Sequence, residues 1–349
     1  MPGTGVVMTS IHRTLLGLAS VIAIAGSLPP ALAAAPEAPA KKYVAPRTSD
    51  GKPDLQGVWA NNNATPLERP KSLEGRAYLT DEVVPALRKR YEEIFAGDGD
   101  AAFGDSVFEA VLSEVKTYKP TTFDAKTGNY NAFWLVSREF DNRTSLITDP
   151  PDGRLPPLTK EAAARRADQP IQSRVSDGPE TRGLSERCIT FGVPDLLAGY
   201  NSYYQVVQGP DAVIFYSEKI HDARIIHLDG RPHAPAAART WVGDSRGHWE
   251  GDTLVVETVN LKGTVRGSTD NVRLVERFTR VGPNTLNHEI TVHDPKTWTR
   301  PWTMMIPLKR TEDHIYEFAC HEGNSSMVGI LAGARAEEKA ESAAGKSEP

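Results

Sequence analysis

Val272-Arg-Leu-Val-Glu-Arg-Phe-Thr-Arg-Val281 and Thr285-Leu-Asn-His-Glu-Ile-Thr-Val292, separated by Gly282-Pro-Asn284, are two runs of alternating character around a turn. Side chains on a strand point to opposite faces in alternation, so Val272, Leu274, Glu276 and Phe278 share one face of the first run. Leu286, His288, Ile290 and Val292 share one face of the second. β-branched and aromatic residues bounded by Gly and Pro predict an antiparallel hairpin. If Val281 pairs with Thr285 around a three-residue loop, Glu276 lies opposite Ile290 and Phe278 opposite His288. Glu276 and His288 are then diagonal neighbours, roughly 7 to 8 Å apart along the backbone and within side-chain reach.

The same pattern extends outward in both directions. From Asn131 onward short β runs alternate with turn residues, as in sandwiches and barrels rather than βαβ units. Asp229-Gly230 and Glu250-Gly251 read as two-residue hairpin turns. Leu254-Val-Val256, Trp302 to Leu308 and Ile315 to Cys320 read as further strands. Arg143 to Arg154 and Arg224 to Arg231 are a faint internal echo, read as the same hairpin chemistry twice rather than as a repeat. Gly57-Val-Trp59 opens the order, and a Gly-x-Trp in a first strand can plug one end of a small barrel. The expected fold is mainly β over 53–333: an antiparallel β-barrel or barrel-like sandwich whose architecture resembles the lipocalin-like group. Short N-terminal helices are expected near 80–96, with Thr80 as N-cap between Leu79 and Val84, and near 106–118, where Val107, Phe108, Val111, Leu112 and Val115 form one face. A third begins near Thr159. Residues 34–52, rich in Ala, Pro and Lys, read as a flexible lead, and 334–349 as a C-terminal tail.

At the N-terminus Arg13, the apolar run Leu15 to Ala25 and Ala31-Leu-Ala33 have the order of a secretory signal peptide, so 1–33 is expected to be removed and the protein to be periplasmic or secreted. The run is broken by Pro29 and Pro30 and is shorter than the roughly 20 residues of a membrane span, so no membrane insertion is expected after cleavage. A composition of 24% charged and 39% hydrophobic residues fits a globular domain. A formal charge of −5 with dispersed Lys and Arg provides no basic field for nucleic acid. The two cysteines, Cys188 and Cys320, read most simply as a disulfide in an oxidising compartment, with an inert free pair or one nucleophilic thiol as alternatives.

Several longer strings carry a resemblance: Tyr130-Asn-Ala-Phe-Trp134, Leu228-Asp-Gly-Arg-Pro-His233, Gly243-Asp-Ser-Arg-Gly-His-Trp-Glu-Gly-Asp-Thr-Leu-Val-Val256, Glu276-Arg-Phe278 and Ala319-Cys-His-Glu-Gly-Asn324. Over about Asp50 to Glu338 the chain resembles a family of uncharacterised exported bacterial proteins. The resemblance implies export and a shared fold, and transfers no catalytic residue.

The chemistry must then be sought in polar groups at core positions. An unpaired carboxylate among Val, Leu and Phe is destabilised by several kcal/mol or is driven to protonate, so Glu276 needs a partner. A Glu276–His288 pair in a low-dielectric pocket suits proton transfer near neutral pH, with Arg224 as an anion anchor; the alternative is a structural ion pair with an arginine such as Arg224. Asp222 and Arg224 share a strand face and are a further candidate ion pair. His221 and His227 lie about 20 Å apart along a straight strand and do not share one ion there; no metal or cofactor is expected, with a metal assembled with His248 or His321 from elsewhere as the alternative, and no zinc spacing, phosphate loop or dinucleotide fingerprint occurs. His321, next to Cys320, is a weaker catalytic candidate. Tyr203, Tyr204 and Trp302 are candidate ligand-binding rings at a barrel mouth. Ser245 reads as a turn residue, because Gly243-Asp-Ser-Arg-Gly lacks the nucleophile-elbow pattern. The expectation is a small-molecule pocket protein, either a cofactor-independent lyase, isomerase or hydrolase or a non-catalytic carrier, with a structural envelope protein as a third class.

Overall fold

The computed structural model describes residues 43–95, 105–113, 137–168 and 176–344. The leader over 1–33, the Tyr130–Trp134 string and any continuation of the second helix past Ser113 lie outside the described residues.

In chain order the regular elements are β1 (Gly57–Ala60), α1 (Val83–Phe95), α2 (Asp105–Leu112), β2 (Ile147–Asp149), α3 (Lys160–Asp168), β3 (Tyr203–Gln208), β4 (Ala212–Ser217), β5 (Ala223–His227), β6 (Asp244–Glu250), β7 (Thr253–Val259), β8 (Arg273–Gly282), β9 (Thr285–His293), β10 (Trp302–Thr311) and α4 (Ser325–Ala344). Strands β3 to β10 pair in sequence order, β3 pairs with β1, and β1 pairs back to β10 with Val58 opposite Thr311. That contact closes a nine-stranded barrel; β2 adds to β10 beside the closure. All its pairings are antiparallel except β5–β6, where Ile226 and His227 run parallel to Ser245 and Arg246. A closed ring with an odd strand count cannot alternate direction all the way round, so one parallel junction is obligatory. The expected hairpin at Asp229-Gly230 is therefore absent: the chain leaves β5 there and returns through 228–243 to start β6 in the same direction. Gly247 is required at this junction, since a Cβ would sit 2.7 Å from the Ile226 side chain and 2.9 Å from that of Leu228.

The β8–β9 register is the one the sequence implies, Glu276 opposite Ile290 and Phe278 opposite His288, but the turn is tighter. Gly282 rather than Val281 pairs with Thr285, and the register shifts between Arg280 and Gly282, which leaves Val281 as a bulge. Inward positions of β7 to β10, among them Leu254, Val256, Leu274, Phe278, Leu286, Ile290, Met304 and Ile306, are buried in one core. Each fully buried side chain of this kind contributes on the order of 1.5–3 kcal/mol. Trp59 is buried in the same core; its Nε1 donates to the Leu55 carbonyl at 2.8 Å, and the Arg280 guanidinium stacks 5.6 Å from its ring centre.

Four boundaries differ from the sequence expectation. The lead is shorter, because Ala45 is buried and Arg47 bridges to Pro53. Helix α1 starts at Val83, after a turn in which the Val83 N–H donates to the Thr80 carbonyl. Ile315 to Cys320 is not a strand: the chain runs on from β10 without regular structure until α4 begins at Ser325. Of the segment read as a tail, 334–344 belong to α4, where Ala, Glu and Lys supply helix propensity without a buried face, and 345–349 lie outside the described residues. Helices α1 and α2 share a small second core around Leu87, Phe108, Val111 and Phe140. Cys188 and Cys320 form a disulfide across 132 residues. It ties the loop after Cys188 to the segment after β10, where Phe191 and Phe318 meet edge to edge with ring centres 6.0 Å apart.

Candidate functional site

Glu276 sits in mid-β8 with its side chain wholly inside the barrel. Side chains from β5, β7 and β9, Arg224, Thr258 and His288, answer it directly. Arg224, on β5 beside the parallel junction, holds both carboxylate oxygens: Nη1 donates to Oε1 at 3.0 Å and Nη2 to Oε2. Arg224 Nε donates to Ser245 Oγ at 2.9 Å on β6, and Nη2 to Thr258 Oγ1 at 2.6 Å on β7. His288, on β9, places Nε2 2.8 Å from Glu276 Oε1, with its ring stacked on Phe278 at 4.2 Å between centres. Ser245 is thus a buried strand residue rather than a turn residue, and it also shares a 3.0 Å hydrogen bond with Thr258.

Burial pushes the Glu276 carboxyl up, but the Arg224 charge and the hydrogen bonds from His288 and Arg224 outweigh it and hold the group well below the usual carboxylate range. A group with a depressed folded pKa contributes stability that is fully present above its unfolded value, about 4.3, and lost as pH falls toward the folded value. Denaturant titrations are therefore expected to show wild type losing stability more steeply than Glu276→Gln below about pH 4.3; parallel curves would remove Glu276 from the acid limb.

The network borders a cavity of about 60 Å³, several times the roughly 10–15 Å³ that one water needs. Phe191, Val193, Phe215, Phe278, Ile306 and Leu308 give it an apolar lining; Tyr204, Arg224, Glu276 and His288 also line it. Two groups that sequence reasoning did not select stand there as well. Lys219 is 1% exposed, and its Nζ donates to Asp195 Oδ2 and to the Leu197 carbonyl, each at 2.6 Å. Burial pushes the Lys219 ammonium down while Asp195 pulls it back up. Asn61 lines the cavity at 3% exposure, with its Oδ1 unpartnered among the described residues. Lys219 escapes a sequence reading because the run from Lys219 to His227 looks like one strand. The chain instead turns at Lys219–His221, with Ile220 and His221 in the left-handed region at φ 58° and 47°. Non-glycine residues there are strained, and no composition cue announces them.

Other sequence candidates are not brought together. Four of the five guanidinium N–H donors of Arg224 are engaged within the protein, so it is not free to anchor an anion. Asp222 does not pair with Arg224; it accepts from Thr190 Oγ1 at 2.9 Å. Tyr203 faces away from Tyr204, and burial together with Asp313 raises its hydroxyl to about 12. Trp302 is buried in the core, edge to face with Trp298 at 5.5 Å, and does not line the cavity. His321 lies exposed in the turn after Cys320, also outside the cavity. Among the described residues, no three His, Cys, Asp or Glu side chains are grouped to hold a metal, and no helix is long and apolar enough to cross a membrane.

Fold and site define a mixed nine-stranded barrel with a buried Arg–Glu–His network on a small apolar cavity. No family model and no solved structure matches the chain. Among curated proteins, Ethylene-responsive transcription factor ERF117 of Arabidopsis thaliana is 26% identical over 178 residues, 46% of this chain and 51% of that protein. The chain spans about half the length of this curated relative.

Proposed function

We propose that the protein is an exported small-molecule enzyme of the cofactor-independent acid–base type, a lyase, isomerase or hydrolase, in which His288 moves the proton. The observation that carries this reading is the imidazole of His288 beside an apolar cavity with Nε2 on a fully buried carboxylate. A depressed Glu276 is a poor base, but it is a good orienting group. It accepts Nε2–H, fixes the tautomer that leaves Nδ1 as acceptor, and stabilises the imidazolium formed when Nδ1 takes a proton. Glu276 is on this account a positioning residue, and Arg224 holds it ionised. Asn61 Oδ1 supplies an acceptor for a donor group on the substrate. The disulfide and the resemblance of the long strings support export and membership of that exported family. The transcription-factor role of the Arabidopsis protein is not carried over, since a formal charge of −5 offers no overall basic field to a phosphate backbone.

A carrier with the same barrel is the second reading, favoured by how completely the charged groups satisfy one another. The two separate on His288→Gln, whose amide can still reach Glu276. Wild type and variant would be assayed against small neutral hydroxy, carbonyl and ester compounds, with thermal unfolding and native mass spectrometry alongside. The expected result is turnover by wild type that falls about 10²- to 10⁴-fold in the variant while Tm stays within a few degrees. Absence of turnover in wild type, with a small molecule retained by both proteins, would establish the carrier instead.

A further inference from the structure

Away from the barrel cavity, a second hollow of about 210 Å³ lies between the end of α3 and the loop before β8, lined by Leu158, Ala162, Arg165, Arg166, Arg266, Gly267 and Thr297. Three of these residues are arginines and none is acidic. Arg165 is half-buried, and Arg166 and Arg266 stand exposed at the rim. Here Arg166 and Arg266 have no ion pair or hydrogen bond among the described residues. Arg165 reaches only an exposed Glu161, at 4.0 Å, while its Nη2 donates to Thr297 Oγ1 at 3.1 Å. Thr297 Oγ1 in turn donates to the buried Asp294 at 2.7 Å, so Arg165 is held in place from behind. Arg266 projects from a residue held at φ 53°, followed by Gly267 at φ 82°.

The negative C-terminal end of α3 offsets part of the repulsion among Arg165, Arg166 and Arg266, but Arg266 comes from a different element. Asp105 feels the Arg266 charge, yet it accepts the Leu67 N–H at 2.8 Å and does not line the hollow. Like charges gathered around a concave site are relieved by a counter-anion, and guanidinium forks match oxyanions in geometry as well as charge. We infer that this hollow binds a tetrahedral oxyanion, the phosphate or sulfate group of a small molecule, at a site separate from the Glu276–His288 cavity. Guanidinium groups from two elements reach an anion from different sides, which suits tetrahedral oxygens better than a planar carboxylate. The volume leaves room for an organic remainder.

Inorganic phosphate, sulfate, acetate and chloride would be titrated at matched ionic strength into wild type and into an Arg166→Gln/Arg266→Gln double variant, by calorimetry with thermal unfolding alongside. Saturable binding of phosphate or sulfate to wild type is expected, weakened about tenfold or more in the double variant, whose Tm in chloride is unchanged. Binding of equal strength in the double variant, or a response to phosphate no larger than to chloride, would overturn the site. Acetate binding without phosphate or sulfate binding would overturn its tetrahedral character. A double variant that loses Tm in chloride is replaced in the comparison by each single variant, to which the same outcomes apply.

Discussion

Arg224→Leu is expected to lower the folding free energy by about 3–5 kcal/mol in urea unfolding at pH 7, the usual penalty for stranding a buried charge. Glu276 is wholly enclosed, and its two oxygens depend on Arg224, with His288 and Thr258 as secondary partners. Without the guanidinium the carboxylate has to take up a proton or draw water into the barrel, and Ser245 and Thr258 lose the donors they accept from. Glu276→Gln is expected to be milder, since the amide keeps one acceptor for Arg224 and the guanidinium left without a countercharge lines the cavity rather than lying wholly enclosed. Replacing both residues by apolar ones, Arg224→Leu with Glu276→Leu, is expected to recover most of the loss, because a buried ion pair contributes little net stability over a packed apolar pair. A double variant as unstable as Arg224→Leu alone would mean that Arg224 stabilises by packing at the β5–β6 junction and not by holding the carboxylate. Activity separates further: the double variant folds but leaves His288 without its orienting oxygen.

The second large effect concerns the covalent link. Replacing Cys188 and Cys320 together by Ser is expected to lower stability by about 2–5 kcal/mol, because the link closes a 132-residue loop in the unfolded chain. The loss should also be uneven. The loop after Cys188 carries Phe191, Val193, Pro194 and Asp195 to the cavity, and besides the disulfide it is held by the Phe191–Phe318 contact and by Asp195 on Lys219. Hydrogen exchange is expected to quicken over that loop and over the segment after β10 while β8 and β9 stay protected. Uniform quickening across the barrel would show that the link stabilises the whole fold without any particular hold on the cavity wall.

The hairpin Val272 to Val292 reveals its register in the sequence because a one-residue slip would turn its apolar faces outward. That is also why the Glu276–His288 proximity can be foreseen: two polar groups interrupt faces that are otherwise Leu, Ile, Val and Phe. The partner of Glu276 is partly legible, since Arg224 is the kind of residue a buried carboxylate needs, though its role as holder rather than anchor emerges only once its donors are traced. The parallel junction is invisible locally. Asp229-Gly230 has good hairpin chemistry, and counting the strands of a closed ring shows only that one junction must be parallel, not that it falls here. Lys219, Asp195 and Asn61 are hidden for another reason: they sit on turns and loops whose inward aim depends on strained backbone and on distant segments, and no periodicity records either.

Barrel closure joins Val58 to Thr311, residues from near the two ends of the described chain. The last pairing therefore waits for the 253 residues from Val58 to Thr311 (311 − 58), and the search for it carries a large entropic barrier that local hairpins such as β8–β9 do not face. A protein built this way folds slowly and exposes unpaired β1 and β10 edges in the meantime, so refolding from denaturant should show early β8–β9 protection and a late, concentration-sensitive step in which aggregation competes with ring closure.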